Sequence, residues 1–321
     1  MSARVIERLL ASQSVAGVTL LDAVETQLNG ARCVTLFFDT GVDLAAVGVP
    51  KGAKLIEERS VGGAPYVSYE VPKGAALTFE FAGKAVDITP AEAEQGLLEG
   101  ANALVAVRNG EDADTVLTWL HYHAEQHGMN GAVIFDRAKP GSDKDFAKAL
   151  KAGIKGLDCT VVLLSSDVPF GKPDLPAEAH PFCVPEAPGK DRMVVPDPAP
   201  WESPLGALCY YEITKLRFLN SARAVANVDV HDLIARSDVS VFDTAVGAEG
   251  GLIALIGRHC YPWRVRNKQP TLFADHICVQ FDAGGGRQRW CIAPSKAPVD
   301  AVWRLVRMGN AAADADRTMG F

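Results

Sequence analysis

Hydrophobic and polar positions change their rhythm near residue 100. Up to residue 95 the apolar positions come in short runs of strand character, at 33–38, 66–71 and 77–81, separated by Gly, Pro and Lys-Gly turn signals. A short amphipathic stretch precedes them. The pattern predicts a small, mainly β N-terminal domain over residues 1–95, with no catalytic spacing in it. From Ala103 short apolar runs alternate with helical periodicity. Residues 103–107 suit a buried parallel strand, and Ala113, Val116, Leu117, Leu120 and Ala124 follow at offsets of three and four, a helical face that Gly128 ends. A second strand at 132–135 closes on Asp136. A helix from about Asp143 follows, with Ser142 as cap and Asp145 completing a capping-box pattern, and then a third strand at 160–164.

This β-α-β-α-β order predicts an α/β domain over residues 96–321, a mostly parallel sheet flanked by helices. Ligands would sit at the carboxyl ends of its strands, near Asn109, Asp136 and Ser165. Residues 167–204 are Pro-rich and aperiodic and read as a long loop over one face. A helix over about 206–220 leads to a strand at 222–228 that runs into Asp229-Val-His231-Asp232. The glycines at 284–286, between strand-like segments 276–281 and 288–292, read as a hairpin turn.

Composition narrows the class. The chain has 321 residues, 48% hydrophobic and 22% charged, as expected of a folded globular protein. No stretch reaches the roughly 18 apolar residues of a membrane span, and the N-terminus lacks a signal-peptide core, so the expected location is the cytoplasm. Seven dispersed cysteines without a C-x-x-C pair read as reduced, mostly buried thiols. A net charge of −7 argues against nucleic-acid binding. Charge is uneven, however. Residues 258–308 hold nine basic against three acidic side chains, a local +6 that leaves −13 elsewhere. Arginines in such a segment serve either as a solvated face or as anion ligands, because the planar guanidinium donates two hydrogen bonds at once.

Two stretches carry a resemblance. Residues 107–136, VRNGEDADTVLTWLHYHAEQHGMNGAVIFD, resemble the opening of bacterial family-2-like glycosyltransferases. In that family an Asn-Glu pair ends the first strand, a helix carries Trp-x-x-Tyr-His (here Trp119, Tyr122 and His123), and a second strand ends on an acid (here Asp136). Residues 222–234, ARAVANVDVHDLI, are similar to the strand and turn that deliver the family's Asp-x-Asp motif. The resemblance covers about residues 103–308 and implies a GT-A type fold. The chain departs from the pattern in Asn109-Gly110-Glu111, where a glycine opens the Asn-Glu pair, and in His231, which replaces the second aspartate. Some GT-A enzymes use Asp-x-His.

The resemblance implies transfer of a sugar from a nucleotide diphosphate donor, a UDP-sugar favoured, to a glycan or lipid-linked acceptor in surface polysaccharide assembly. Peripheral membrane association is compatible with that pathway. Departure of the diphosphate calls for a Lewis acid, here Mn²⁺ or Mg²⁺ held by Asp229, His231 and Asp232. Alternatively, Asp229 or Asp232 caps a short helix at 233–236. Asn109, Glu111 and Asp136 would face the nucleoside, and Arg258 and Arg264 the diphosphate. An inverting mechanism needs a base near the acceptor, for which Glu249, Asp275 and His276 are the candidates. Trp119, Tyr122 and His123 are expected to be packing and helix-end residues. A second reading keeps the fold but not the catalysis, as a module binding carbohydrate or a protein partner. A methyltransferase or dehydrogenase is disfavoured by the absence of G-x-G-x-x-G after residue 107.

Overall fold

The computed structural model describes residues 3–74, 76–183, 189–263, 271–279 and 286–321. An eight-stranded sheet organises the chain: β1 (Arg4–Leu9), β2 (Asn102–Arg108), β3 (Gly131–Asp136), β4 (Thr160–Ser165), β5 (Ala224–Asn227), β6 (Leu252–Ile256), β7 (Gln288–Ile292) and β8 (Asp314–Gly320). Their spatial order is β1-β4-β3-β2-β5-β7-β6-β8. The first five of that order are mutually parallel, β7 is antiparallel to both β5 and β6, and β8 is parallel to β6. The expected α/β class with a mostly parallel sheet holds.

The apolar runs become strands because both faces are covered. Helices α1 (Ala113–His127) and α2 (Phe146–Gly153) lie on one face, where Val116, Trp119, Leu120 and Leu150 pack with Leu104, Ala106 and Ile134. Asp112 caps α1 by accepting from Thr115 N at 2.8 Å, and Gly128 at φ 68° ends it with a bond back to Ala124 O. The alternate residues Val105, Val133 and Val162 meet Tyr210 and Tyr211 of α3 (Tyr210–Thr214) on the other face.

That second face also receives the N-terminal β region. Its antiparallel sheet runs Val18–Leu28, Ala31–Phe38, Ala64–Glu70 and Lys54–Val61, with Ala91–Glu92 added in parallel at the edge. One side of it, through Leu21, Val24, Phe37 and Tyr66, joins the core over β2 and β3. The other packs Leu20, Val34, Leu36 and Phe38 against Phe79 and Phe81 of a three-stranded sheet. Buried polar contacts stitch the two regions. Arg217 lies 3.3 Å from Asp22, both fully buried, and burial pushes the Asp22 carboxyl up to about 6 against the pull of the guanidinium.

Several elements differ from expectation. The amphipathic start is β1, which pairs with β4 in register Arg4↔Thr160 and so belongs to the large sheet. Helix α2 begins at Phe146. Asp145 makes no side-chain cap bond and Ser142 Oγ donates to Lys139 O, so no capping box forms. The helix expected over 206–220 is the five-residue α3 followed by a π turn at Lys215–Leu219. Residues 233–236 are not helical. Strand His276–Val279 pairs with Cys260–Pro262, while β7 inserts between β5 and β6, so 276–279 and 288–292 are not two arms of one hairpin; residues 280 and 281 lie outside the described residues. Glycines 284 and 285 lie outside the described residues. No helix among the described residues is long and apolar enough to cross a membrane.

Candidate functional site

The chain runs from β2 outward to β3 and β4, then returns to place β5 on the opposite side of β2. This reversal falls between β2 and β5, and the carboxyl ends of the strands at such a point are where open α/β sheets bind ligands. Glu111, just after β2, and His231, just after β5, meet there with His231 Nε2 3.0 Å from Glu111 Oε1. Glu111 also accepts the Asn109 backbone N–H at 2.5 Å. Burial pushes its carboxyl up, but the hydrogen bond from His231 and those from the backbone outweigh it and hold Glu111 below its usual range. The same contact with Glu111 raises the imidazole of His231, whose side chain is 65% exposed.

Asp229 takes a different partner. Residues 229–232 form a turn in which Asp232 N–H donates to Asp229 O at 2.9 Å, so the chain does not leave β5 extended. The Asp229 carboxylate accepts from Arg289 Nη2 at 2.6 Å and lies 3.5 Å from Arg287 Nη1, both on Oδ2. Both arginines come from β7 and the residue before it, which run antiparallel to β5 and bring their start alongside its end. Burial, then the charge of Asp229, pushes Asp232 up to about 6, and its Oδ2 is buried without a partner among the described residues.

A second set of charged contacts lies behind Glu111. Arg108, 2% exposed, donates to Glu111 O at 2.5 Å, Asp136 Oδ1 at 2.8 Å and Asp143 Oδ2 at 2.5 Å, and stacks 3.6 Å over Phe146. Asp136 Oδ1 also accepts from Ala138 N, so the acid ending β3 shapes the loop that follows it. The 167–204 loop contributes Glu178, which accepts from Asn109 Nδ2 at 2.9 Å and lies 3.9 Å from Arg137 Nη1. Arg137 is buried, donates to Ser203 O, and has its basicity lowered by burial.

Helix α1 fixes the 229–236 loop. Tyr122 OH donates to Ile234 O at 2.7 Å and His127 Nε2 to the same oxygen at 3.2 Å. His123 Nε2 accepts from Ile234 N at 3.3 Å, while its Nδ1 donates to Trp119 O at 2.8 Å. Both histidines are buried and neutral. Burial pushes His123 down to about 3 and lowers His127 as well. Trp119, Tyr122 and His123 therefore pack, as expected, and Tyr122 and His123 also clamp the backbone that follows Asp229, His231 and Asp232.

Other expected site residues do not gather here. Glu249 is exposed in the turn before β6, at the amino end of a strand parallel to β5, and so lies at the opposite end of the strands from Glu111 and His231. Asp275 Oδ2 accepts from Leu272 N at 2.9 Å as a cap, and His276 Nδ1 bonds Cys260 O at 3.0 Å on the hairpin beyond β6. Arg258 is exposed at the carboxyl end of β6, and Arg264 lies outside the described residues. Sequence reasoning missed Arg108, Arg137, Glu178, Arg287 and Arg289. The last two stood in the basic segment, but nothing in the spacing pairs them with Asp229. Two clefts, of about 810 Å³ beside the π turn (Glu25, Thr35, Ser68, Lys215) and about 460 Å³ on the outer face of α1 (Asp114, His121, Arg236), contain neither Glu111 nor Asp229.

The resemblance implies a divalent cation on Asp229, His231 and Asp232, and these residues do not fit one. Asp229 is occupied by guanidinium groups and His231 Nε2 by Glu111. No protein-family model matches the chain, and no curated protein matches it.

Proposed function

We propose that this protein is a glycosyltransferase that binds a nucleotide diphosphate sugar at the carboxyl ends of β2 and β5 and transfers the sugar to a glycan or lipid-linked acceptor. The observation that carries this reading is the Glu111–His231 contact at 3.0 Å. Those two residues come from the two stretches that resemble the family, 120 positions apart, and they meet at the strand reversal where such folds take their ligands. A mostly parallel sheet with helices on it agrees with what the resemblance implies.

In this reading Asn109, Glu111 and Asp136 contact the nucleoside, each at the end of β2 or β3. The clamp on Ile234 holds the 229–232 turn rigid, which preorganises its polar groups before the donor arrives. The acceptor hydroxyl attacks the anomeric carbon, the bond to the diphosphate oxygen breaks, and a base removes the hydroxyl proton. Of the three candidates for that base, His276 is an exposed residue at the same edge of the sheet, whereas Glu249 is at the far edge and Asp275 caps a turn.

A thermal-shift panel of nucleotide sugars tests the proposal. Ligand at a hundredfold excess over its dissociation constant contributes about 2.7 kcal/mol, a shift of several degrees. One nucleotide sugar is expected to stabilise the protein, and Glu111→Gln to lose at least half of that shift. A panel in which no nucleotide sugar moves the transition contradicts the reading. Stabilisation without transfer of the sugar to any acceptor and without release of nucleotide diphosphate points to the non-catalytic carbohydrate-binding alternative.

A further inference from the structure

We propose that the Asp229 site is an arginine-based phosphate site that works without a divalent cation. The inference rests on the donor placement above and concerns the positive charge that meets the diphosphate. Three observations carry it. Arg289 is 5% exposed and locked, with Nη2 2.6 Å from Asp229 Oδ2 and Nη1 3.2 Å from Gln288 O. Arg287, two residues earlier on the same face of the chain, is 61% exposed and only loosely held, 3.5 Å from the same oxygen. Finally, Arg289 Nε is a buried donor without a partner among the described residues, as found where an acceptor from a ligand completes the hydrogen bonding.

The chemistry follows from what occupies Asp229. A metal ion bound to its Oδ2 would stand against two guanidinium charges, and arginine cannot relieve that repulsion by losing a proton. With the guanidiniums in place the carboxylate acts as a positioning residue. It orients Arg289 and leaves Arg287 exposed beside the 229–232 turn, free to turn toward an anion. A guanidinium fork matches the spacing of phosphate oxygens, and its charge is present before the leaving group departs. The ligand class is a phosphorylated compound with adjacent phosphates.

Two probes test this independently of any sugar donor. Inorganic pyrophosphate, titrated calorimetrically in EDTA, is expected to bind, with affinity changed less than twofold when Mn²⁺ replaces EDTA. Arg287→Gln, an exposed position where folding is not at risk, is expected to weaken it about tenfold; Arg289→Lys keeps the charge but loses the fork and is expected to weaken it as well. Mn²⁺ alone, followed by the electron paramagnetic resonance signal of the free ion, is expected to show no site that Asp229→Asn removes. Failure of pyrophosphate to bind in EDTA, indifference to Arg287→Gln, or a manganese site lost in Asp229→Asn overturns the inference. Nucleotide-sugar turnover judges the transferase reading separately. A metal-dependent transferase sinks only the inference, and pyrophosphate binding without any nucleotide-sugar response sinks only the transferase.

Discussion

Replacing Glu212 with leucine is expected to destabilise the protein by about 3–5 kcal/mol, the range seen when one partner of a buried charged network is removed. Glu212 lies on α3 and is 4% exposed. Its Oε1 accepts from Trp303 N at 2.6 Å; its Oε2 accepts from Tyr66 OH at 3.1 Å and Lys215 Nζ at 2.8 Å. Three regions therefore meet at one carboxylate: the N-terminal sheet through Tyr66, the π turn through Lys215 and the C-terminal segment through Trp303. Leucine fills the volume but leaves a buried backbone N–H and a buried phenol unpaired, at about 1–3 kcal/mol each. Glu212→Gln retains an acceptor for Trp303 N and is expected to cost about half as much. Urea denaturation of both variants measures this, and a leucine variant within 1 kcal/mol of the parent would show that the network does not join the regions.

Acid is expected to act through the histidine clamp. In the unfolded chain His123 takes up a proton near pH 6.5, whereas buried in α1 it resists protonation to about pH 3. Protonation would place an N–H on Nε2, where the lone pair now accepts from Ile234 N. The unfolded state thus binds the extra proton. The contribution of neutral His123 is complete above pH 6.5 and is lost as pH falls below it, by roughly 1.4 kcal/mol per unit. Asp22 and Asp232, both pushed up to about 6, respond in the opposite sense between 3.8 and 6, so total stability does not isolate the effect. The difference between parent and His123→Gln does, because glutamine retains a donor and an acceptor and does not titrate. That difference is expected to move against the parent by about 2 kcal/mol between pH 7.5 and pH 5. A pH-independent difference would mean that His123 is solvated or already charged.

The core of the α/β region was legible because local and global signals agree there. Residues 103–107, 132–135 and 161–164 are apolar at every position, as expected of strands covered on both faces, and Gly128 supplies the positive φ that ends α1. Strand β1 was not legible: Arg4–Leu9 has mixed polarity because it is an edge strand, and its partner lies 156 residues away. The break of the 206–220 helix into α3 and a π turn answers to packing against the N-terminal sheet, which no periodicity reports. At the site, the positions of Glu111, Asp229 and His231 were readable from order along the chain. Their partners were not, because the Asp229–Arg289 bond spans sixty residues and depends on β7 inserting antiparallel beside β5. In the alternative reading Ile234 belonged to a short helix at 233–236, whereas three α1 side chains take its backbone groups instead.

A crystal structure of the protein with the nucleotide that stabilises it most tests the central claim directly. The account predicts the base and ribose beside Asn109 and Glu111 and the phosphates against Arg287 and Arg289, with the 229–232 turn unmoved. Nucleotide lodged in the 810 Å³ cleft beside the π turn, or on the outer face of α1, would contradict it.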